Sequence, residues 1–336
     1  MHAMPDTSPI RRSSLSLGSF VEWRPTATLD VLRRRAELLT RVRTFFRDRK
    51  VLEVEVPVLQ GGANLDPGVE PFVVPTPDGQ RYLPTSPEHP LKRLVAAGYG
   101  PVWALAPVFR AHEKGRKHAP EFRMLEWYRP DWDDWKLLRE VLALFDVITG
   151  WGQTHEVIGY RKAFQKYVGI DPAQITGEEL ERLLGDQASA ARLASGTIDR
   201  SIALDLLLTE RIEPHLGRGH WTVMTDYPIH VAAQARLRAD EDDRPAAARF
   251  EIYRDGIELA NGYWELTDGA ELAGRLEREL DKRPGSRLTR DQRFEAAIAE
   301  GLPECAGVAV GFDRLVMLAL GLDNVSATQA FAAGNE

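Results

Sequence analysis

The chain has 336 residues, 43% of them hydrophobic and 28% charged, a globular composition with enough apolar side chains for a sizeable core and too many for a disordered chain. Acidic residues outnumber basic ones 50 to 43, a net charge of −7, which is the wrong sign for a protein that grips nucleic acid through its phosphates. Cys305 is the single cysteine, so no internal disulfide can form, and no run reaches the roughly 18–20 apolar residues of a membrane span; a cytoplasmic protein with no membrane partner is expected.

Residues 1–28 read as an N-terminal tail, with scattered Arg and Ser and no apolar signal stretch. From Leu29 to Arg49, apolar residues recur at three- and four-residue intervals after Asp30, which predicts a long amphipathic helix with Asp30 as its cap. The β-branched alternation of Val51–Leu59 predicts a strand, with Pro57 at an edge. Residues 61–79, rich in Gly and Pro, read as loop. A short strand at Arg81–Thr85 then leads into a helix opened by Ser86, Pro87 and Glu88, in which Ser86 caps.

Two antiparallel strands, Val102–Arg110 and Phe122–Arg129, are predicted around a basic loop. Helical spacing dominates from 131 to 215, so residues of about 150–220 read as a helical insertion. Strands resume at Trp221–Asp226, Arg249–Tyr253 and Ile257–Leu266, and the chain closes with strand Gly307–Val310 and helix Asp313–Leu320. Strands early and late with long helices between predict an α+β fold on an antiparallel sheet flanked by helices, in one domain over 29–336.

Three segments carry chemistry. The loop from Arg110 through Glu113 and His118 to Phe122 offers cations and an aromatic face, as a triphosphate and a purine require, although a solvated basic loop would look the same. In Gly256–Leu266, Glu258 and Glu265 are two carboxylates in an apolar strand, candidate Mg²⁺ ligands. Seven residues apart, they share a face only if a bulge, expected at Gly262, resets the alternation. Finally, Arg314 sits in the first turn of a helix, where the dipole opposes it unless a bound anion, or an ion pair with Asp313, offsets the cost.

Together these segments resemble the class II aminoacyl-tRNA synthetase fold: the helix and strand through Pro57 look like motif 1, the Arg110–Arg129 hairpin like motif 2, and Gly307–Leu318 like motif 3. Thr85–Glu88, Pro120–Tyr128 and Glu258–Gly262 are similar to the lysine-specific branch. The ~28 residues before the first helix are too few for a five-stranded anticodon-binding barrel, so no tRNA partner is expected. Ser86 and Ala309 stand where lysyl-tRNA synthetases usually have Ala and Gly. The chain is therefore most similar to the truncated paralogs that attach (R)-β-lysine to a lysine side chain of elongation factor P.

That resemblance implies ATP and Mg²⁺ as cofactors, elongation factor P as acceptor, and a homodimer. It also implies roles. Arg110 and Arg314 are catalytic, and ATP is bound by Arg110, Glu113, His118, Phe122, Glu258 and Arg314. Mg²⁺ is held by Glu258 and Glu265. The lysine-like amino acid is held by Ser86, Glu88, Glu126, Tyr128, Asn261 and Ala309. The pattern departs at Ala111, His112 and Ala119, where the family often carries Asn, Glu and Asn, which leaves Glu113 to take over a contact. Two other readings stay open: ligation of α-lysine or another amino acid to a different acceptor, and a catalytically silent paralog acting as a binding module.

Overall fold

The computed structural model describes residues 23–66, 68–193, 196–283 and 288–334; most of the expected tail, residues 1–22, lies outside the described residues. Thr28, not Asp30, caps the first helix α1 (Leu29–Asp48), its hydroxyl accepting from the Val31 amide, while Asp30 sits in the first turn where the dipole favours an acid. The predicted strand at 51–59 shrinks to β1 (Leu52–Glu53), paired with a neighbour on one side only. Beyond it Pro57, Val58 and Leu59 are exposed, and a proline has no amide to extend a ladder.

The 61–79 segment is not all loop, since β2 (Val73–Thr76) and β3 (Gly79–Tyr82) form a separate hairpin closed by Gly79 at φ 111°. Helix α2 (Glu88–Ala96) leads to β4 (Val102–Phe109) and β5 (Glu121–Pro130), antiparallel as expected. Next come α3 (Asp134–Thr149), β6 (His155–Gly159), α4 (Tyr160–Tyr167), α5 (Gly177–Leu184) and α6 (Arg200–Leu207). The insertion is thus helical except for β6, which pairs in parallel with β7 (Trp221–Tyr227). The remainder is β8 (Leu237–Ala239), β9 (Pro245–Arg254), β10 (Ile257–Trp264), α7 (Gly269–Asp281), α8 (Gln292–Gly301), β11 (Cys305–Gly311) and α9 (Phe312–Ala319).

Nine of these strands form one sheet in the order β1-β4-β5-β11-β10-β9-β7-β6, with β8 beside β9. All neighbours are antiparallel except β1/β4 and β6/β7. One face is sealed: Trp103, Leu125, Trp127, Val308, Val310, Phe250 and Ile252 pack under Val42, Phe46, Val141 and Phe145 of α1 and α3, together with Leu315 of α9. The opposite face is covered only at its ends. At one, Leu91, Phe294 and Leu272 of α2, α8 and α7 lie over Val102, Ala104 and Tyr128. At the other, Phe164 and Leu204 of α4 and α6 lie with Met224, Ala247 and Tyr253. The middle strands β5, β11, β10 and β9 are left as the floor of an open cavity. Among the described residues no helix is long and apolar enough to cross a membrane.

Candidate active site

The floor is built in rows across the sheet. Asn261 pairs with Glu251 on one side and Ala309 on the other, and Ala309 pairs with Glu126. One step along on the same face lies the row Arg249, Tyr263, Gly307 and Tyr128. Because side chains alternate across a strand, both rows point into the cavity, which all eight residues line. Gly307 is required there: a Cβ would fall 2.2 Å from the Tyr128 ring and 2.5 Å from Glu265 Oε1.

The expected bulge exists, at Leu259 instead of Gly262. Glu258 pairs with Tyr253 and Ala260 with Ile252, so one extra residue is absorbed between them. This puts Glu258 on the face of Asn261, Tyr263 and Glu265. Gly262 has a different task, since its missing Cβ leaves room for the Phe250 ring, 2.3 Å from where that atom would stand.

At one end the cavity is basic. Arg110, just past β4, lies 5.3 Å over the Phe122 ring, with its Nη1 3.3 Å from Glu113 and its Nε 3.4 Å from the Thr85 carbonyl. Arg314, in the first turn of α9, donates to the carbonyls of Lys117 (2.9 Å) and Glu258 (3.1 Å). Asp313 is not its partner: that carboxylate pairs with Arg35 at 2.6 Å and accepts from the Arg123 amide at 2.9 Å. Backbone carbonyls thus carry the guanidinium that the helix dipole disfavours. Arg110, Phe122 and Arg314 line the cavity, whereas Glu113 and His118 stand in the adjoining loop outside its lining. Burial and the nearby Arg314 push the His118 imidazole down from its ordinary value.

At the other end the cavity is acidic and closed. The Ser86 hydroxyl donates to Glu126 Oε2 at 2.6 Å and accepts from the Glu88 amide at 3.1 Å, fixing Glu126; the cap position expected of Ser86 is taken by Pro87, one residue later, with no side-chain cap bond. Tyr128 donates to the other Glu126 oxygen at 2.7 Å. Lys92 reaches into the cluster from α2, 2.6 Å from Glu88, 2.6 Å from Glu265 and 2.9 Å from Gln234, whose amide returns a 2.9 Å bond to Glu88. All of these side chains are buried, Lys92 and Glu265 to 1% exposure. Burial alone would discharge Lys92, but Glu265 and Glu88 more than reverse this and hold it protonated.

One ammonium does not balance the acids around it. Burial, then the Glu88 charge, pushes the Glu126 carboxyl up to about 8. Burial raises Glu265 to about 7 even beside Lys92, and Asp66 at the rim reaches about 6 through burial and Glu88. The cluster is short of positive charge. Lys92 and Gln234 are members that sequence reading missed; Lys92 follows Glu88 by four residues on a helix, a spacing that marks ion pairs everywhere on surfaces and so does not single it out.

The Glu258–Glu265 pair does not assemble as one metal site. Six ladder steps separate the two residues, on the order of 20 Å along the strand, and Glu265 is committed to Lys92. The neighbour of Glu258 is Glu251, its diagonal partner across the β9/β10 hairpin. Burial and Glu251 push the Glu258 carboxyl up, and Arg314 answers only from 3.7 Å. Glu251 is itself paired with Arg249 and accepts from the Tyr253 hydroxyl, and together the two carboxylates would suit Mg²⁺, an ion commonly held by one or two carboxylates plus substrate phosphates. Among the described residues no cluster of three or more His, Cys, Asp or Glu is arranged to hold a metal by itself. Glu251 could have been found as a carboxylate amid Phe250 and Ile252, the signal that exposed Glu258.

An acid-rich pocket and an arginine–aromatic pocket sharing the open face of an antiparallel sheet define a class of enzyme. The chain belongs to the class II tRNA synthetases of the D, K and N type, which it matches over residues 17–335. It is an ATP-dependent amino acid ligase of that family. Its relatives include proteins named elongation factor P–(R)-beta-lysine ligase, from Salmonella paratyphi A at 42% identity, and from Salmonella paratyphi B and Salmonella dublin at 41%. Each comparison spans 318 residues, 92% of this chain and 97% of the relative.

Proposed function

We propose that the chain activates (R)-β-lysine with ATP as the aminoacyl adenylate and transfers the acyl group to a lysine side chain of elongation factor P, in the cytoplasm and without tRNA. The observation that carries this is the charge deficit of the closed end. Asp66, Glu88, Glu126 and Glu265 surround the single amine of Lys92, so the pocket is completed by a substrate that brings ammonium groups of its own. The relatives named as (R)-beta-lysine ligases acting on elongation factor P point the same way.

In this reading Glu126, already oriented by Ser86 and Tyr128, holds the distal ammonium. Asn261 and Ala309, side by side in the floor, set the place of the second amine and of the carboxylate. That carboxylate is ionised and needs no base to attack the α-phosphorus. Arg110 and Arg314 stabilise the charge that gathers on the phosphate oxygens, and Phe122 and Arg314 clamp the adenine. Glu251 and Glu258 would hold Mg²⁺, which when bound neutralises phosphate charge. The hydroxyl of Ser86 is already engaged twice, so its contribution to amine selection is to fix Glu126. In a mixture of the protein, ATP, (R)-β-lysine and unmodified elongation factor P, the factor should gain the mass of one lysyl group. A factor that stays unmodified while ATP is consumed would reject the acceptor.

A further inference from the structure

The cavity does not stop at the amino acid and nucleotide ends. Beyond Glu251 it runs on beneath the helical segment, where its wall is made by Tyr160, Ser201, Asp205, Leu208, Glu213 and Tyr227. Nothing in activating an amino acid uses this annex. Ser201, Asp205 and Leu208 are spaced by four and three residues, so they share one face of α6. The chain then makes a π-helical turn over Leu208–Ile212, and residues five apart align in such a turn, which keeps Glu213 in line with Leu208. The result is a continuous strip of two carboxylates separated by an apolar side chain.

Two observations show that this strip awaits a ligand. The Tyr227 hydroxyl lines the annex, belongs to a residue 2% exposed, and makes no well-formed hydrogen bond, Glu251 being the acceptor near it. Asp205 and Glu213 belong to none of the ion pairs of the described residues: Glu251 faces both and Glu258 faces Glu213, while Arg249 answers Asp205 and Lys117 answers Glu213 only from beyond ion-pair distance. A carboxylate pair beside Tyr160, Tyr227 and Leu208 suits an ammonium on an aliphatic stem: apolar and aromatic surface for the stem, charge for the tip.

We propose that the annex receives the side chain of the acceptor lysine and delivers its amine to the activated acyl group from the side opposite Glu126. The proposal rests on the transfer reaction above and gives the helical segment a task in it. Asp205 and Glu213 hold the incoming ammonium. Having lost one proton to water, the amine forms the new nitrogen–carbon bond to the acyl carbon. The bond from that carbon to the phosphate oxygen breaks, AMP departs with the electron pair, and the second proton leaves the nitrogen as the amide forms. A hydroxyl acceptor carries no charge and would gain nothing from the two acids.

The test compares wild type with an Asp205→Asn, Glu213→Gln double variant, and with Ser201→Phe, which fills the mouth of the annex without changing a charge. Three rates are read on the full chain: ATP–pyrophosphate exchange with (R)-β-lysine, trapping of the activated amino acid by hydroxylamine, and acylation of elongation factor P. Hydroxylamine is a small neutral nucleophile that needs no annex. Exchange and trapping should stay within about twofold of wild type, while acylation at subsaturating acceptor falls at least about tenfold, through a raised KM. Wild-type acylation in both variants would overturn the annex, and so would an equal loss in all three rates. If wild type itself shows neither exchange nor trapping, the adenylate reading fails first and the annex falls with it.

Discussion

The two ends of the cavity are built in opposite ways. At the acidic end Ser86, Glu88, Lys92, Glu126, Tyr128, Gln234 and Glu265 are buried and held at 2.6–3.1 Å, in a network linking α2, β5, the residue after β10 and the 228–236 segment. At the basic end Arg110 and Arg314 are half-buried, with contacts of 2.9–3.7 Å to a loop and to backbone carbonyls. The difference fits the proposed task. Choosing between amino acids that differ by the position of an amine demands a rigid pocket, because small displacements erase a difference of a few kcal/mol. Gripping a triphosphate demands strong charges that can close after the nucleotide arrives.

Breaking the acidic end should have the largest effect on the fold. Lys92→Met removes the cation bonded to two of the buried carboxylates, Glu88 and Glu265, which is expected to cost about 3–5 kcal/mol and to lower the melting temperature by about 10 °C. Thermal unfolding checks this, and the loss should shrink at low pH as the acids protonate. Arg314→Ala should do the reverse: little change in melting temperature, but a fall in pyrophosphate exchange of about 100- to 1000-fold. If the two variants showed the same balance of effects, the contrast between the ends would be wrong.

A finer probe is pH. The Glu126 carboxyl is raised from 4.5 to about 8, so the folded protein holds a proton there that the unfolded chain has lost. Stability without substrate should therefore be fullest below pH 4.5 and decline as pH rises through 8. Substrate ammonium reverses the preference and favours the ionised form, so binding at pH 7 should release up to one proton. Calorimetry in buffers of different ionisation enthalpy reads that number, and Glu126→Gln should abolish it. A wild-type binding heat independent of buffer would remove Glu126 as the ammonium's partner.

Legibility in the sequence divides along similar lines. The strands Val102–Phe109 and Glu121–Pro130 were readable because two apolar and aromatic runs flanking a Gly-containing loop are a local signal, and so were the arginines and Phe122, whose residue types are unusual where they stand. What escaped depends on register and distance. The bulge falls at Leu259 because strand pairing, not the presence of a glycine, decides where an extra residue is absorbed. Glu265 meets Lys92 across 173 residues of chain, and Gln234 meets Glu88 across 146. No spacing rule reaches that far. The strand β6 was hidden by its setting, a short run among helices that becomes a strand only beside β7.

The most direct test of the account is selectivity at Ala309, which lies between Asn261 and Glu126 in the cavity floor. ATP–pyrophosphate exchange should be measured with (R)-β-lysine and with α-lysine, for wild type and Ala309→Gly. The account predicts a wild-type preference for (R)-β-lysine of about 30-fold or more, narrowed by the substitution as the lost methyl opens space for an α-ammonium. Equal exchange with the two lysines in wild type, or a preference untouched by Ala309→Gly, would contradict it.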